Sequence, residues 1–321
     1  ANRLWYRRLF QVPDAWVGSR ILLHFEGVDW ETMVWINGQA VGFHRGGYDP
    51  FTFEVTEFLR NEGDQELVVS VWDPTDGGTQ PRGKQVSQPG GIFYASVTGI
   101  WQTVWLEPVP DAAIADLVIS QDIDRGSVSI VVEGDGTSGD DSVEVTITAS
   151  GAVVAGGSGE IGTAIEVGLP NTRLWSPDDP FLYDLDLKLT RDGAVLDSVT
   201  SYFGMRKTSI GRDENGFTRL LLNNEFVFQL GPIDQGYWPD GLYTAPTEEA
   251  MVYDIEVLKS MGFNMLRKHV KVEPRNFYYW CDRLGMLVWQ DMPNANIPLL
   301  SLIHISEPTR LVHSSRMPSS A

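Results

Sequence analysis

Short stretches of alternating apolar and polar residues fill the first third of the chain, the pattern of strands buried on one face only. The chain reads as strand from Leu4, and again over Arg20 to His24, Thr32 to Ile36, Phe51 to Val55, Glu66 to Trp72 and Gln102 to Glu107. Asn37-Gly38 separates Met33-Val34-Trp35-Ile36 from Val41-Gly42-Phe43. Both residues accept the positive φ of a type I′ turn, so a tight hairpin is predicted there. Residues 1–110 are therefore expected to form an antiparallel sandwich.

The strand pattern continues over residues 111–203, at Ala115 to Ser120, Ser127 to Glu133, Ser142 to Ala149 and Leu182 to Thr190, with Gly, Asp and Ser turns between. This spacing predicts a seven-strand immunoglobulin-like sandwich. After Phe203 the period changes. Phe226 to Leu230 is an apolar run expected to be a strand, and Thr247 followed by Glu248 and Glu249 is a helix start, with acids where they suit the helix dipole. Met251, Ile255 and Leu258 mark one face of that helix, which stops at Gly262. Strand Asn264 to Val270, helix Pro274 to Leu284 ending at Gly285, and strand Met286 to Gln290 follow. Strand, helix, strand, helix, strand is the order of a parallel α/β unit.

Composition narrows the class. At 321 residues the chain has room for two or three domains, and 42% hydrophobic residues supply their cores. A formal charge of -19 argues against a grip on nucleic-acid phosphates or on an anionic membrane surface. No apolar run approaches the roughly 18 to 20 residues that span a bilayer. The single cysteine, Cys281, cannot form an internal disulfide and is expected to be packed on the second helix beside Trp280. Residues 111–203 carry 17 Asp and Glu against 4 Lys and Arg, which reads as a solvated acidic face. No metal or cofactor is expected: His24 and His44 have no second ligand at metal spacing, and no phosphate-cradling glycine loop, Ser-His-Asp set or CxxC pair occurs.

The last residues read differently. Leu300 to Arg310 resembles the translation of a transposase adapter from short-read library preparation, and Ser315 to Ala321 a flow-cell adapter, with Leu311 to Ser314 as the index between them. Residues 300–321 are accordingly expected to be a non-native tail outside the fold.

Several pieces, in one order, resemble glycoside hydrolase family 2, which includes β-galactosidases, β-glucuronidases and β-mannosidases. They are Asn37-Gly38, Gly46-Gly47-Tyr48-Asp49-Pro50-Phe51, Gly99-Ile100-Trp101, Leu174-Trp175-Ser176-Pro177-Asp178 with Leu182-Tyr183, Phe203-Gly204-Met205-Arg206, and Asn264-Met265-Leu266-Arg267. The resemblance covers residues 1–299. It implies a galactose-binding-like jelly roll over 1–110, an immunoglobulin-like sandwich over 111–203, and over 204–299 the first three strands of a (β/α)8 TIM barrel. A whole barrel takes about 250 residues. Members of the family cleave glycosides with retention, through a nucleophile and an acid/base about 5 to 5.5 Å apart. By resemblance these are two glutamates on later strands, so no catalytic residue is expected within this segment.

The wall of a sugar pocket is expected instead. Barrel sites lie at the C-terminal ends of the strands, which selects Lys268 and His269 after the second strand and Gln290, Asp291 and Asn294 after the third. Arg267 matches the family's second-strand arginine, which by resemblance orders the carboxylate nucleophile; pairing with a barrel carboxylate for stability alone is the other reading. His269 stands one residue nearer that arginine than in familiar members, where Tyr-Pro follows, and is either the sugar-binding histidine or a surface or core histidine. Asp291, in Trp289-Gln290-Asp291, matches mannosidase-like members, and its carboxylate suits either two sugar hydroxyls or a buried structural ion pair. Trp238, beside Tyr237 on the loop after the first strand, is a candidate to stack on a sugar face or to pack that loop. The segment Asp234 to Gly241 departs from the Asn-His ending of familiar galactosidases. Asp73 to Gly91 is a long loop, and in this family a loop of the first sandwich reaches over the barrel mouth.

The expected function is the N-terminal part of a retaining exo-β-glycosidase with a carbohydrate substrate, β-galactosidase-like first. The alternatives are a carbohydrate-binding or scaffold protein made of two sandwiches, and a non-catalytic relative.

Overall fold

The computed structural model describes residues 3–295, so the adapter-like stretch 300–321 lies outside the described residues. The first sandwich pairs a four-stranded antiparallel sheet, in the order Arg3–Phe10, Gln65–Trp72, Glu31–Ile36, Gln39–Arg45, with a three-stranded one, Val104–Val109, Arg20–Phe25, Phe51–Glu54. Period-two alternation puts Leu23, Phe25, Val34, Ile36, Val69 and Val71 between the sheets. The hairpin turn forms where Asn37-Gly38 predicts it, with φ of 51° and 80°. The Asn37 side chain also donates to Phe58 O (2.9 Å) and Gln65 Oε1 (2.8 Å), tying the turn to the neighbouring strand.

The second sandwich has the seven strands the spacing predicts. Ala113–Asp122, Ser127–Asp135 and Ile165–Gly168 make one antiparallel sheet; Ala152–Glu160, Ser142–Ala149, Tyr183–Arg191 and Ala194–Phe203 make the other. Its core is aliphatic, built on Val128, Ile130, Val143, Ile147, Leu185 and Leu187. Cys281 is free and buried in the α/β part, so this sandwich closes without a disulfide.

The α/β part opens differently from expectation. Thr208–Arg212, Thr218–Leu222 and Glu225–Phe226 form a small antiparallel sheet that the hydrophobic pattern did not announce. Phe226 to Leu230 is not a strand beyond Phe226: Phe228 and Leu230 are exposed. Leu230 O accepts from the backbone of Asn264 (3.1 Å) and Met265 (3.3 Å), and the Asn264 side chain donates to Phe228 O (2.9 Å) and accepts from Leu230 N (2.9 Å). The parallel sheet begins later, at Ile233–Asp234, and continues through Met265–Lys268 to Leu287–Gln290.

Helices α1 (Glu248–Ser260) and α2 (Arg275–Leu284) cover one face of that sheet. Thr247 caps α1 by accepting from Ala250 N, with Glu248 and Glu249 in the first turn. Met251 and Ile255 of α1 and Phe277 and Cys281 of α2 meet Leu266 beneath them. The opposite face is open, leaving Ile233 58% and Trp289 45% exposed. A parallel sheet normally has both faces covered.

Trp175 joins the second sandwich to α2. Its ring is fully buried, its Nε1 donates to Asp282 O at 2.6 Å, and the Arg206 guanidinium lies 4.6 Å from its ring centroid. Arg206 also pairs with the Asp282 carboxylate at 2.6 Å. Trp175→Ala is expected to cost about 3–5 kcal/mol of stability, since it opens a large cavity, and to loosen α2 from the sandwich. Urea unfolding followed by tryptophan fluorescence checks this, and a loss below about 1 kcal/mol would contradict it.

Candidate functional site

Strand geometry sorts the charged residues at the top of the parallel sheet. Residues two apart share a face, so Arg267 and His269 leave the second strand on the open side, while Lys268 is sent toward the helices. The third strand then delivers Asp291, whose backbone N–H donates to Lys268 O at 3.0 Å. The Asp291 carboxylate accepts from Arg267 Nε at 3.0 and 3.2 Å and faces Arg267 Nη2 at 2.9 Å. It also meets His269 Nδ1 at 2.6 Å. An ionised carboxylate has no proton to give, so Nδ1 carries the hydrogen. Burial opposes the charge on Asp291, but the hydrogen bonds from Arg267 and His269 outweigh it and hold the carboxyl below its ordinary 3.8.

Three sequence candidates, Arg267, His269 and Asp291, thus form one cluster. Gln290 is beside it but fully engaged: its amide nitrogen donates to Lys271 O and Asp291 O, both at 2.8 Å, and its oxygen accepts from Tyr278 at 2.6 Å. It braces the loop that carries Asp291. Trp238 lies elsewhere, in the helix-side cluster with Met251, Ile255 and Phe277. Its neighbour Tyr237 stacks on Tyr94 of the first sandwich, 4.2 Å between centroids and 19° between planes.

Lys268 is corrected from pocket wall to buried interior, at 1% exposure, as is Lys271 at 1%. Both ammonium groups converge on Glu273, at 2.8 and 2.9 Å, and Lys268 also meets Asp234 at 2.5 Å. Burial works against both charges. In Lys268 the carboxylates of Glu273 and Asp234 prevail and raise its pKa, whereas in Lys271 burial and the adjacent Lys268 prevail and lower it. Lys271 donates as well to Gly236 O and Tyr243 O, each at 2.7 Å. Glu273 and Lys271 were not among the sequence candidates. The signal was there in Lys268-His269-Val270-Lys271-Val272-Glu273, three charges in a turn too short to keep all of them in water.

A cavity of about 440 Å³ lies on this helix side, between the first sandwich and α1, lined by Trp101, Gln102, Trp238, Asp254, Lys268 and Glu273 among others. It is separate from the Arg267, His269 and Asp291 cluster, none of which lines it. Burial and the nearby Asp234 raise the pKa of Asp254. Among the described residues no group of His, Cys, Asp and Glu is arranged to hold a metal ion.

His24 and His44 belong to the first sandwich. His24 stacks on Trp105 at 4.0 Å and bonds Thr52, and His44 stacks on Phe51 at 4.0 Å. The loop after Asp73 does cross to the parallel sheet. Arg82 N and Gly83 N both donate to Asn294 O at 3.0 Å. A Cβ on Gly83 would fall 2.3 Å from Val270 O, so only glycine allows this approach.

Two sandwiches followed by a parallel α/β layer, with an Arg-His-Asp cluster at the strand ends, place the chain in the class of multidomain, β-rich carbohydrate-active proteins. The chain belongs to glycosyl hydrolase family 2. The family's sugar binding domain matches residues 1–107, and its following domain, described as "Glycosyl hydrolases family 2", matches residues 112–206. A β-galactosidase of Thermoanaerobacter pseudethanolicus is 28% identical over 305 residues, covering 90% of this chain and 39% of that protein. A putative β-glucuronidase of Formosa agariphila is 28% identical over 302 residues, covering 90% of this chain and 35% of that protein. The crystal structure of a β-glycosidase from Bacteroides vulgatus superposes with a TM-score of 0.76 at 25% identity, covering 90% of this chain and 36% of that one. The chain thus spans well under half the length of these relatives.

Two outcomes follow from the charge arrangement. Glu273→Gln leaves two buried ammonium groups without their shared counter-charge and is expected to cost roughly 3–5 kcal/mol, read from the urea midpoint; a variant as stable as the parent would contradict the pairing. Asp291 is charged above 3.8 in the unfolded chain and stays charged to lower pH when folded, so its contribution is present above pH 4 and fades as pH falls through the folded value. The parent should therefore melt above Asp291→Asn at pH 7, by a margin that shrinks toward pH 3. A margin independent of pH would refute it.

Proposed function

We propose that the parallel sheet of Ile233–Asp234, Met265–Lys268 and Leu287–Gln290 is the beginning of a (β/α)8 barrel. Its open strand ends carry one wall of the sugar pocket of a retaining exo-β-glycosidase. The observation that carries this reading is the Arg267–Asp291–His269 cluster at the C-terminal ends of parallel strands, where barrel enzymes keep their sites. The open face bearing Ile233 and Trp289 supports it, since the inner face of a barrel is covered only when further strands close it. On this reading residues 1–110, 111–203 and 204–299 are the three domains.

The roles follow from the geometry. Asp291, kept ionised by Arg267 and His269, accepts hydrogen bonds from the hydroxyls of one sugar ring. Arg267 holds Asp291 in place and is the cation nearest to where the nucleophilic carboxylate would stand. Retention requires two carboxylic groups about 5 to 5.5 Å apart, one of them protonated to assist departure of the leaving oxygen. Neither is assigned within residues 3–295, and both are assigned to later strands of the longer protein. The names of the relatives divide between galactosidases and glucuronidases; a β-galactoside is the first substrate to test.

The chain alone is expected to release no nitrophenol from aryl β-galactosides or β-glucuronides. A longer protein, expressed after reading the source DNA onward from the codon for Leu299, should turn one of them over with retention. Turnover by the chain itself would overturn the assignment of the catalytic carboxylates. Binding without hydrolysis by the longer protein would leave a sugar-binding protein.

A further inference from the structure

A strand at the edge of a sheet presents a row of unpaired N–H and C=O groups, and sheets blunt such edges with bulges, prolines or short strands. The four sheets of the two sandwiches do so at every edge but one. Gln39–Arg45, Ala113–Asp122, Ala152–Glu160 and Ala194–Phe203 each carry one residue in excess of the neighbouring strand, at Val41, Ala115, Val154 and Leu196. Phe51–Glu54 and Ile165–Gly168 are 4 residues long, and Val104–Val109 contains Pro108. The exception is Arg3–Phe10. Its 8 residues include neither glycine nor proline, and they pair with Gln65–Trp72 from Arg3 opposite Trp72 to Phe10 opposite Gln65 without a shift. Among the described residues its backbone has no other backbone partner, and Leu4, Trp5 and Leu9 are exposed, Trp5 by 61%.

The occupant that fits this edge is a second copy of the same strand. Two identical strands that pair antiparallel about a two-fold axis put opposed residues on the same face of the sheet. The axis therefore passes through one residue rather than between two, and the arginines decide which. An axis at Arg7 or Arg8 sets that arginine against its own copy, and an axis at Trp5 sets Arg3 against Arg7. An axis at Tyr6 opposes Arg3 to Leu9, Leu4 to Arg8 and Trp5 to Arg7, so no two arginines face each other. Arg7 then lies beside a tryptophan ring, a favourable partner for a guanidinium. Axes nearer either end of the strand pair fewer residues. Two of the arginines also bring their own counter-charge: Arg3 meets Glu31 at 3.3 Å and Arg7 meets Glu66 at 2.5 Å within the same sheet.

We propose that two copies of this chain associate through Arg3–Phe10, joining their four-stranded sheets into one continuous sheet across a two-fold axis at Tyr6. A single strand edge is a small contact, so the dimer is reversible rather than obligate. The association does not depend on where the sugar binds or on what the longer protein hydrolyses.

The test is sedimentation velocity on the 321-residue chain across micromolar concentrations, joined to a disulfide readout of the register. The parent should form a concentration-dependent dimer. Leu9→Arg places a second cation against Arg3 of the other copy, twice in a symmetric dimer, while in its own sheet it stands opposite Glu66. It should raise the dimer dissociation constant at least about tenfold and melt with the parent where both are monomeric. Cys281 is buried, so an introduced cysteine meets no competing thiol. Trp5→Cys and Arg7→Cys should cross-link when mixed and oxidised, because the two positions are opposed. Either variant alone should not, since its cysteines are offset along the strand beyond the roughly 7 Å that a disulfide spans between Cα atoms. A chain that stays monomeric, an association that Leu9→Arg leaves unchanged, or a mixture that fails to cross-link would each overturn the proposal. So would cross-linking by one variant alone as readily as by the mixture, which marks association without this register, through another apolar face.

Discussion

A buried charge has to meet its opposite, and the segment from Arg267 to Glu273 is built around that requirement. Strand alternation divides its cations between two environments. Arg267 and His269 go to the open side and converge on Asp291, while Lys268 and Lys271 go under the helices and converge on Glu273. Both acids come from the other end of a connection: Glu273 starts the turn into α2, and Asp291 follows the next strand. Neither cation set can settle until the second helix and the third strand are in place. The charges thus act as a check on the register of the α/β unit, and the same register brings Asp291 to Arg267 and His269.

The hydrophobic pattern carried the architecture a long way. Asn37-Gly38 marks its turn because few other pairs adopt two consecutive positive φ values. Thr247 with two following acids marks the start of α1, because a helix end needs an acceptor and favours negative charge. The seven strands of the second sandwich follow from a period of two that burial on one face enforces. The misreadings fall where no period exists. Ile233–Asp234 is two residues long, too short for alternation, and Phe226 to Leu230 looks like a strand only because it is apolar. Its hydrogen bonds go to the side chain and backbone of Asn264 and to the backbone of Met265, Asn264 lying 34 residues beyond Leu230, and no local pattern announces that.

The cluster that forms the candidate site was legible to a similar depth. Arg267, His269 and Asp291 were reachable from strand ends plus resemblance, since position along a parallel strand determines which end a residue occupies. Which side it occupies depends on the exact phase of a four-residue strand, and there Lys268 was placed on the wrong face. Trp238 needed knowledge of the α1 surface, which is long-range. The burial of Arg82 was hidden for a different reason. An arginine in a Gly- and Pro-rich loop reads as solvated, and only the three-dimensional path of the loop shows that it is enclosed.

The first sandwich is therefore more than an appendage. Tyr94 stacks on Tyr237, Tyr48 bonds Tyr243 through their hydroxyls at 2.8 Å, and Thr244 donates to Trp101 O at 2.7 Å, all across its boundary with the α/β part. These contacts are aromatic and directional, so they hold a geometry rather than merely burying area. Gly83 then lets the loop come within reach of Val270 where any side chain would hold it off. A domain that only bound sugar independently would not need its loop wedged between the two segments bearing His269 and Asp291. That contact makes the surface beside the strand ends a joint product of the sandwich and the parallel sheet, so a change in the loop of one is felt at the strand ends of the other.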